Sequence, residues 1–474
     1  MKHAPVLLLL LASWLVDDAA FAMREPVSGQ VTERVVCRQN AVQSYALYLP
    51  SNYTAARKWP ILYALDAGAR GVLPVQRFRA AAEEYGFIVA GSNNSRNGPL
   101  QIVQDAVNAM IADTESRFSL DPDRVYLAGF SGGARAAIMV GSALKGKVAG
   151  VIACGAGFPP SLPPTAATPF DLFIAVGDED FYFPELRALD RSLDGLGVGH
   201  TFESFAGGHE WPPEKVCTHA LEWIELRAMR SQRRSMDASL VERICAKTIE
   251  EAAALEREQK SYEAYELYSA ARDRFAGLRN VSAFESKVKQ LEQSRAVRTA
   301  LAREREAEAR QRNTDAELSR LIDDVMGDRD RPFAMLKLRS GFDELRNDAS
   351  QKKNEVDRLA ALRVLTRLRI LLNEEVALDF ERRDYTAAAL RLGLMSLIRP
   401  DNPQIYFHLA RACCLAGKKK EALAAIRNAI LKGYKDVEAL ESNPDLESLR
   451  AEPDYRRIIQ GMKKQPAPQN VPGH

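Results

Sequence analysis

The stretch "DRVYLAGFSGGARAA", Asp123 to Ala137, passes from a charged turn through an apolar run into a glycine-flanked serine, then into small helix formers. Read as strand, sharp turn and helix, it sets Gly129, Phe130, Ser131, Gly132 and Gly133 in a GxSxG pattern, in the context where that pattern carries chemistry. Glycines flank the serine because a strained turn brings neighbouring backbone too close for a side chain. Such a turn lifts the hydroxyl above the carboxyl edge of a sheet. The helix that follows aims NH groups and a positive dipole end at developing negative charge.

A hydroxyl is a poor nucleophile without a base. The six histidines are His3, His200, His209, His219, His408 and His474. His3 lies in an apolar leader, His219 and His408 in helical patterns, and His474 in a proline-containing tail. His209 lies in "FAGGHEWPP", a glycine and proline loop after the last strand candidate, where a loop projects from the same sheet edge as Ser131. A carboxylate that orients the imidazole should follow a strand lying between serine and histidine in the chain. "FDLFIAVGDEDFYFP" offers Asp178, Glu179 and Asp180. Asp180 is preferred over Asp178 because the GxxD spacing carries it past the turn.

The flanking sequence fits a mostly parallel α/β sheet. Strand candidates are "AVQSYALYL", "PILYALDA", "GFIVAGS", "RVYLAGF", "GVIACGA", "DLFIAVG" and "HTFESFA", and amphipathic stretches separate most of them. Near-continuous apolar strands imply burial on both faces. Beyond residue 230, "RSQRRSMDAS" reads as a linker, and strand signals give way to Ala, Leu, Glu, Lys and Arg at helical spacing. The expected division is a signal segment at 1–22, an α/β domain at 23–230 and an all-α domain at 231–474. Residues 285–330 suit a long solvated helix, with a coiled coil as the alternative.

The 474 residues are 46% hydrophobic and 27% charged, a globular composition. With 65 basic and 63 acidic residues the net charge is +2, so no overall field attracts nucleic acid or an anionic membrane. The leader "MKHAPVLLLLLASWLVDDAAFA" has a basic start, a short apolar run and a small-x-small end, the pattern of a cleavable secretory signal. Its apolar run is shorter than the roughly 20 residues a spanning helix needs. The mature chain is therefore expected to be secreted or periplasmic, with no transmembrane segment. Six cysteines, Cys37, Cys154, Cys217, Cys245, Cys413 and Cys414, show no zinc spacing; Cys413 and Cys414, adjacent in a helical pattern, are expected to be buried thiols, and a pair among Cys37, Cys154 and Cys217 is left open.

The order Ser131, Asp180, His209 resembles the α/β hydrolase superfamily. "RVYLAGFSGG", "AVGDEDF" and "GGHEWPP" are most similar to polyhydroxybutyrate depolymerase-like and feruloyl esterase-like carboxylesterases, over about Val35 to Arg227. The resemblance implies a serine carboxylesterase acting on a small-molecule or oligomeric ester without metal or organic cofactor. It makes the Gly132 NH an oxyanion donor. Where an HG pair is usual this chain has Asp66 and Ala67; esterases similar to the formylglutathione hydrolase branch carry DG there, which implies Gly68 as second donor. Asn93, Asn94 and Arg96 in "GSNNSRNGP", and Trp211, are candidates for substrate recognition, with turn-forming and packing roles as the alternatives. A serine peptidase, or a scaffold carrying a vestigial hydrolase half, are the rival readings.

The helical half resembles tetratricopeptide repeats over about 368–434, and these repeats are a candidate surface for a protein partner. A 34-residue offset pairs Tyr385 with Lys419, Ala388 with Ala422, Leu392 with Ile426, and Pro400 with Tyr434. Tyr406, Leu409, Ala410, Gly417 and Ala429 fill further packing positions. Arg383 stands where a glycine is usual, and a weaker echo begins at Gln259.

Overall fold

The computed structural model describes residues 26–351 and 355–464. The expected signal segment, 1–22, lies outside the described residues. The strands are β1 (Val31–Cys37), β2 (Asn40–Tyr48), β3 (Trp59–Asp66), β4 (Ile88–Ser92), β5 (Leu120–Phe130), β6 (Gly150–Cys154), β7 (Asp171–Gly177) and β8 (His200–Phe205). They form one sheet in the order β1-β2-β4-β3-β5-β6-β7-β8. Interleaved helices are α1 (Val72–Tyr85), α2 (Leu100–Arg117), α3 (Gly132–Ala143), α4 (Phe183–Leu196) and α5 (Glu214–Arg230). This is the expected α/β class, mostly parallel and followed by an all-α region.

β3 runs parallel to both β4 and β5, and β5 parallel to β6; β1 and β2 pair antiparallel on the β4 side. Strand order reverses at β3 and β5, and in open α/β sheets ligands bind beyond the carboxyl ends of the strands at such a point. Asp66 and Phe130 are register partners, which sets the turns after β3 and β5 side by side. β3, β4 and β6 are buried along their whole length, which explains their unbroken apolar runs. β1 was not among the strand candidates. It is an edge strand with irregular pairing and exposed Glu33 and Arg34, so it lacks the apolar alternation of its neighbours.

The helical region comprises α6 (Ala238–Arg257), α7 (Ser261–Phe275), α8 (Ser282–Glu292), α9 (Arg295–Met326), α10 (Arg331–Ser350), α11 (Glu355–Arg382), α12 (Tyr385–Ile398), α13 (Pro403–Leu415), α14 (Lys419–Leu431), α15 (Val437–Ser442), a 3-10 turn at Pro444–Leu449 and α16 (Pro453–Lys464). The charged segment 285–330, expected to be one long helix, is divided at Gln293 and Ser294 between α8 and the 32-residue α9, whose Leu318, Leu321 and Val325 enter a core running on to Ile459.

Five helix joints there share one geometry, Asp328 and Gly433 among them, and three of the five are followed by the same spacing of buried residues. Gln259, Arg383 and Gly417 adopt left-handed φ of 61°, 60° and 74°. At each, the NH donates to the carbonyl three residues back, and the next NH to the carbonyl five back: Gln259 and Lys260 to Glu256 and Leu255, Arg383 and Asp384 to Phe380 and Asp379, Gly417 and Lys418 to Cys414 and Cys413. This is a Schellman ending. Five residues on, Ala264, Ala388 and Ala422 are wholly buried; nine on, Tyr268, Leu392 and Ile426 are buried too. Small residues there let consecutive helices approach closely.

The chain gathers into two compact units. Of the described residues, one holds those up to Ile174 with Leu193–His200 and Trp211–Met236; the other holds Ala175–Ser192, Thr201–Glu210 and the described residues from Asp237 onward. The compact division therefore does not follow the α/β to all-α change in the sequence. The second unit takes the end of β7, the acidic turn after it, most of α4 and the His209 loop. Among the described residues no helix is long and apolar enough to cross a membrane. All six cysteines are buried, and none forms a disulfide among the described residues. Burial pushes the Cys37 thiol up to about 11.

Candidate active site

In the first unit, β5 ends at Phe130 and α3 begins at Gly132, leaving Ser131 alone on the turn. Its backbone takes φ 56° and ψ −123°, a conformation that L side chains rarely adopt. The turn is held because the Ser131 NH donates to the Cys154 carbonyl at 2.9 Å. A Cβ on Gly129 would lie 2.1 Å from the Gly133 carbonyl oxygen, and one on Gly133 would lie 2.1 Å from that of Leu65. Backbone from β3 and α3 thus occupies the space a side chain needs, which accounts for both glycines.

The turn after β3 is tied together by Asp66, which is wholly buried. Its carboxylate accepts from Arg70 Nε at 2.8 Å and Nη2 at 2.9 Å, from Trp211 Nε1 at 2.7 Å and from the Gly68 NH at 2.8 Å. Burial alone would raise its pKa, but these donors hold it below the ordinary carboxylate value. The Gly68 NH is therefore turned onto Asp66, and in this geometry it does not point outward as an oxyanion donor.

The loop after β4 packs on the same rim. Arg96 is exposed and bridges to Gly68, and the Asn97 NH donates to the Ala67 carbonyl at 2.9 Å. A Cβ on Gly132 would fall 1.8 Å from Asn97 Oδ1, so the Asn97 side chain lies directly on the elbow. Asn97 was not among the sequence candidates, because an exposed asparagine in a polar turn carries no distinguishing pattern. Asn93 and Asn94 bind elsewhere. Asn93 Nδ2 donates to the Glu33 carbonyl at 3.1 Å; Asn94 Oδ1 accepts the Ser44 NH at 2.8 Å, and its Nδ2 donates to the Val42 carbonyl. Their amides anchor the loop to β1 and β2. Trp211 is 2% exposed against Phe130 and bonded to Asp66, which is the packing alternative rather than an open stacking platform.

In the second unit, His209 Nδ1 donates to Asp180 Oδ2 at 2.9 Å. Asp180 is 1% exposed, and its Oδ1 accepts the Tyr182 NH at 2.9 Å, which fixes the carboxylate plane. Phe181 and Tyr182 place their rings 4.7 and 5.7 Å from the imidazole. The acidic turn and the histidine loop are joined backbone to backbone: the Asp178 NH donates to the Phe205 carbonyl at 2.8 Å and the Glu179 NH to that of Gly207 at 2.9 Å. Asp178 does not face the histidine. Its Oδ1 accepts the Gly207 NH at 3.1 Å, so it braces the loop that Asp180 engages. With Nδ1 committed to a carboxylate, Nε2 is the basic nitrogen of the ring.

No protein-family model matches the chain, and no curated protein does. Solved structures with a similar fold include an S-formylglutathione hydrolase of Staphylococcus aureus, at 16% identity and a TM-score of 0.34, covering 42% of this chain and 98% of that one. A ferulic acid esterase is 18% identical with a TM-score of 0.35, covering 41% and 97% respectively. An esterase from the archaeon Pyrobaculum calidifontis is 14% identical with a TM-score of 0.34, covering 43% and 87%.

Proposed function

We propose that this chain is a secreted or periplasmic serine carboxylesterase that hydrolyses esters through an acyl-enzyme, with Ser131 as nucleophile, His209 as base and Asp180 as its orienting carboxylate. The observation that carries the reading is the Ser131 backbone, a positive-φ serine held on a strand-to-helix turn by glycines that nothing larger can replace. The Asp180–His209 hydrogen bond supports it independently.

In this reading His209 Nε2 takes the Ser131 proton as the oxygen attacks the ester carbonyl. The proton then passes to the departing alcohol, and water, activated by the same nitrogen, releases the acyl group. Asp180 keeps the proton on Nδ1 and stabilises the imidazolium. The Gly132 NH and the first turn of α3 face the oxyanion. Gly68 is not assigned as second donor, since its NH serves Asp66. Asn97, packed on Gly132, is the polar group proposed to complete the hole.

The 34-residue offset, together with matched Schellman joints at Arg383 and Gly417, supports tetratricopeptide-type units in the helical half, and a protein partner is proposed for them. The leader supports export, and the amino terminus of the protein recovered from a periplasmic fraction tests that part.

The function is tested by reacting the purified chain with a fluorophosphonate, then with short-chain p-nitrophenyl esters beside aminoacyl anilides. Labelling that vanishes in Ser131→Ala, with turnover of esters only, is the expected result. A folded protein that takes no label would end the esterase and peptidase readings together.

A further inference from the structure

The acid turn is gripped by helices far along the chain, within the second unit. Arg363 of α11 donates from Nε to the Asp178 carbonyl at 2.7 Å, two residues before Asp180. Its guanidinium stacks 3.8 Å over the Phe183 ring, three residues after Asp180. Arg363 is 8% exposed. One turn earlier on α11, Arg358 donates to Glu179 Oε1 at 3.1 Å while its other amine holds Glu355 at 2.6 Å. Two cations from one helix thus bracket the turn carrying the proposed catalytic acid, at residues 178, 179 and 183. α4, which leaves that turn, is held similarly: Arg187 pairs with Glu266 of α7 and Glu304 of α9, and Arg191 with Glu308 of α9.

A buried guanidinium without a carboxylate in direct contact is costly to maintain, and the contacts that offset the cost here are made with the acid turn. Burial pulls the Arg363 pKa down to about 10, against Asp178, Glu304 and Glu308 that favour the cation and Arg187 that opposes it, so the group stays charged at neutral pH. Its direct partners are a main-chain carbonyl and a ring, both on the acid turn. An arginine whose only task was to pair helices would reach a carboxylate on a neighbouring helix, as Arg367 of α11 does to Asp315 at 3.3 Å.

We propose that Arg363, with Arg358, is a positioning residue of the hydrolase site: through the Asp178 carbonyl and the Phe183 ring, α11 fixes the turn that aims Asp180 at His209. The helical half is then part of the catalytic apparatus rather than an appendage. The proposal rests on the esterase reading above.

The test uses the full chain and four variants, Arg363→Met, Arg363→Lys, Arg358→Gln and Arg367→Gln, each checked for folding by circular dichroism. The readouts are kcat and KM on a p-nitrophenyl ester and the rate of fluorophosphonate labelling. Arg363→Met keeps an unbranched apolar stem and removes the guanidinium donor; it is expected to lower kcat and the labelling rate about ten- to hundredfold with KM little changed, as small misplacement of a catalytic group does. Arg363→Lys, which retains a cation and a donor, should recover part of the loss. Arg367→Gln, on the same helix but away from the turn, should leave both rates at the wild-type value. Arg358→Gln, at a partly exposed position, should lower them about two- to fivefold.

A folded Arg363→Met with wild-type kcat overturns the proposal, as does an equal loss in Arg367→Gln. Should Arg363→Met not fold, wild-type rates in Arg358→Gln overturn it. Failure of the esterase reading looks different, because the wild-type chain itself would then take no label at Ser131.

Discussion

Replacing Ser131 by glycine and by alanine separates catalysis from the strain that serves it. Both variants remove the hydroxyl, and loss of the nucleophile should cost on the order of 10⁶-fold in kcat. Their stabilities should differ. Alanine keeps a Cβ in a backbone at φ 56°, ψ −123°, whereas glycine relieves it. Holding a side chain in such a region costs about 1–3 kcal/mol, while glycine's extra freedom in the unfolded chain costs about 0.5–1 kcal/mol. The difference leaves Ser131→Gly more stable than Ser131→Ala by up to about 2.5 kcal/mol, opposite to the usual effect of an alanine-to-glycine change. Spread over a domain of this size, that is a rise of up to about 10 °C in the midpoint of the transition. Calorimetry or denaturant unfolding of the full chain reads the difference directly, since all other contributions are shared. Glycine melting below alanine would mean that the turn is not strained, and the backbone argument for Ser131 as nucleophile would fall with it.

Asp180→Asn keeps the shape of the pair but stabilises the wrong imidazole tautomer; kcat on a p-nitrophenyl ester should fall about 10⁴-fold, and wild-type turnover would remove Asp180 from the mechanism. Asp178 behaves differently: burial raises its pKa, with Glu179 nearby adding to the effect. The folded state then holds the proton more tightly than the unfolded chain, so stability is lost as pH rises through the interval between the unfolded value, about 3.9, and the raised folded one. Asp178→Asn keeps an oxygen for the Gly207 NH and should melt above wild type at about pH 7 and level with it below about pH 3; a pH series of melts decides, and a gap independent of pH would contradict the assignment. Arg383→Gly should raise helical-unit stability by about 0.5–1 kcal/mol, read by denaturant unfolding, because an exposed arginine there holds φ 60°. No gain would mean that the left-handed joint is not strained.

What the sequence made legible was local. Strands buried on both faces announce themselves as apolar runs, and the amphipathic stretches "FPELRALDRSLDGL" and "EKVCTHALEWIELRAMR" form α4 and α5. β1 escaped because an edge strand with exposed charges has no such run. At the site, Ser131 was legible because its turn needs glycines in sequence. The Asp180–His209 contact followed from strand-end spacing, and the structure makes it at 2.9 Å. Asn93, Asn94 and Trp211 were ambiguous for the opposite reason: their partners, Val42, Ser44 and Asp66, lie far away in the chain. A Gly68 NH turned inward by Asp66 is likewise a tertiary fact, since only the folded turn decides which acceptor wins.

The same distinction explains how the helical half could be read as repeats and still conceal its most consequential residue. The likeness of these joints is written in backbone terms: a left-handed residue, an alanine five residues on and a large apolar residue nine residues on, at Gln259, Arg383 and Gly417 alike. The joint forms with glutamine or arginine in place of glycine because hydrogen bonding to the preceding turn and burial of the alanine fix it. Arg363 has no such periodic mark. It stands in "ALRVLTRLRILL", where arginines recur as they would on any solvated helix face. Only packing distinguishes it from Arg367 four residues later, one reaching a main-chain carbonyl beside the acid and the other a carboxylate on α9. A helix pattern determines which residues face inward, and the chain folded against that face determines whether a buried cation serves stability or catalysis.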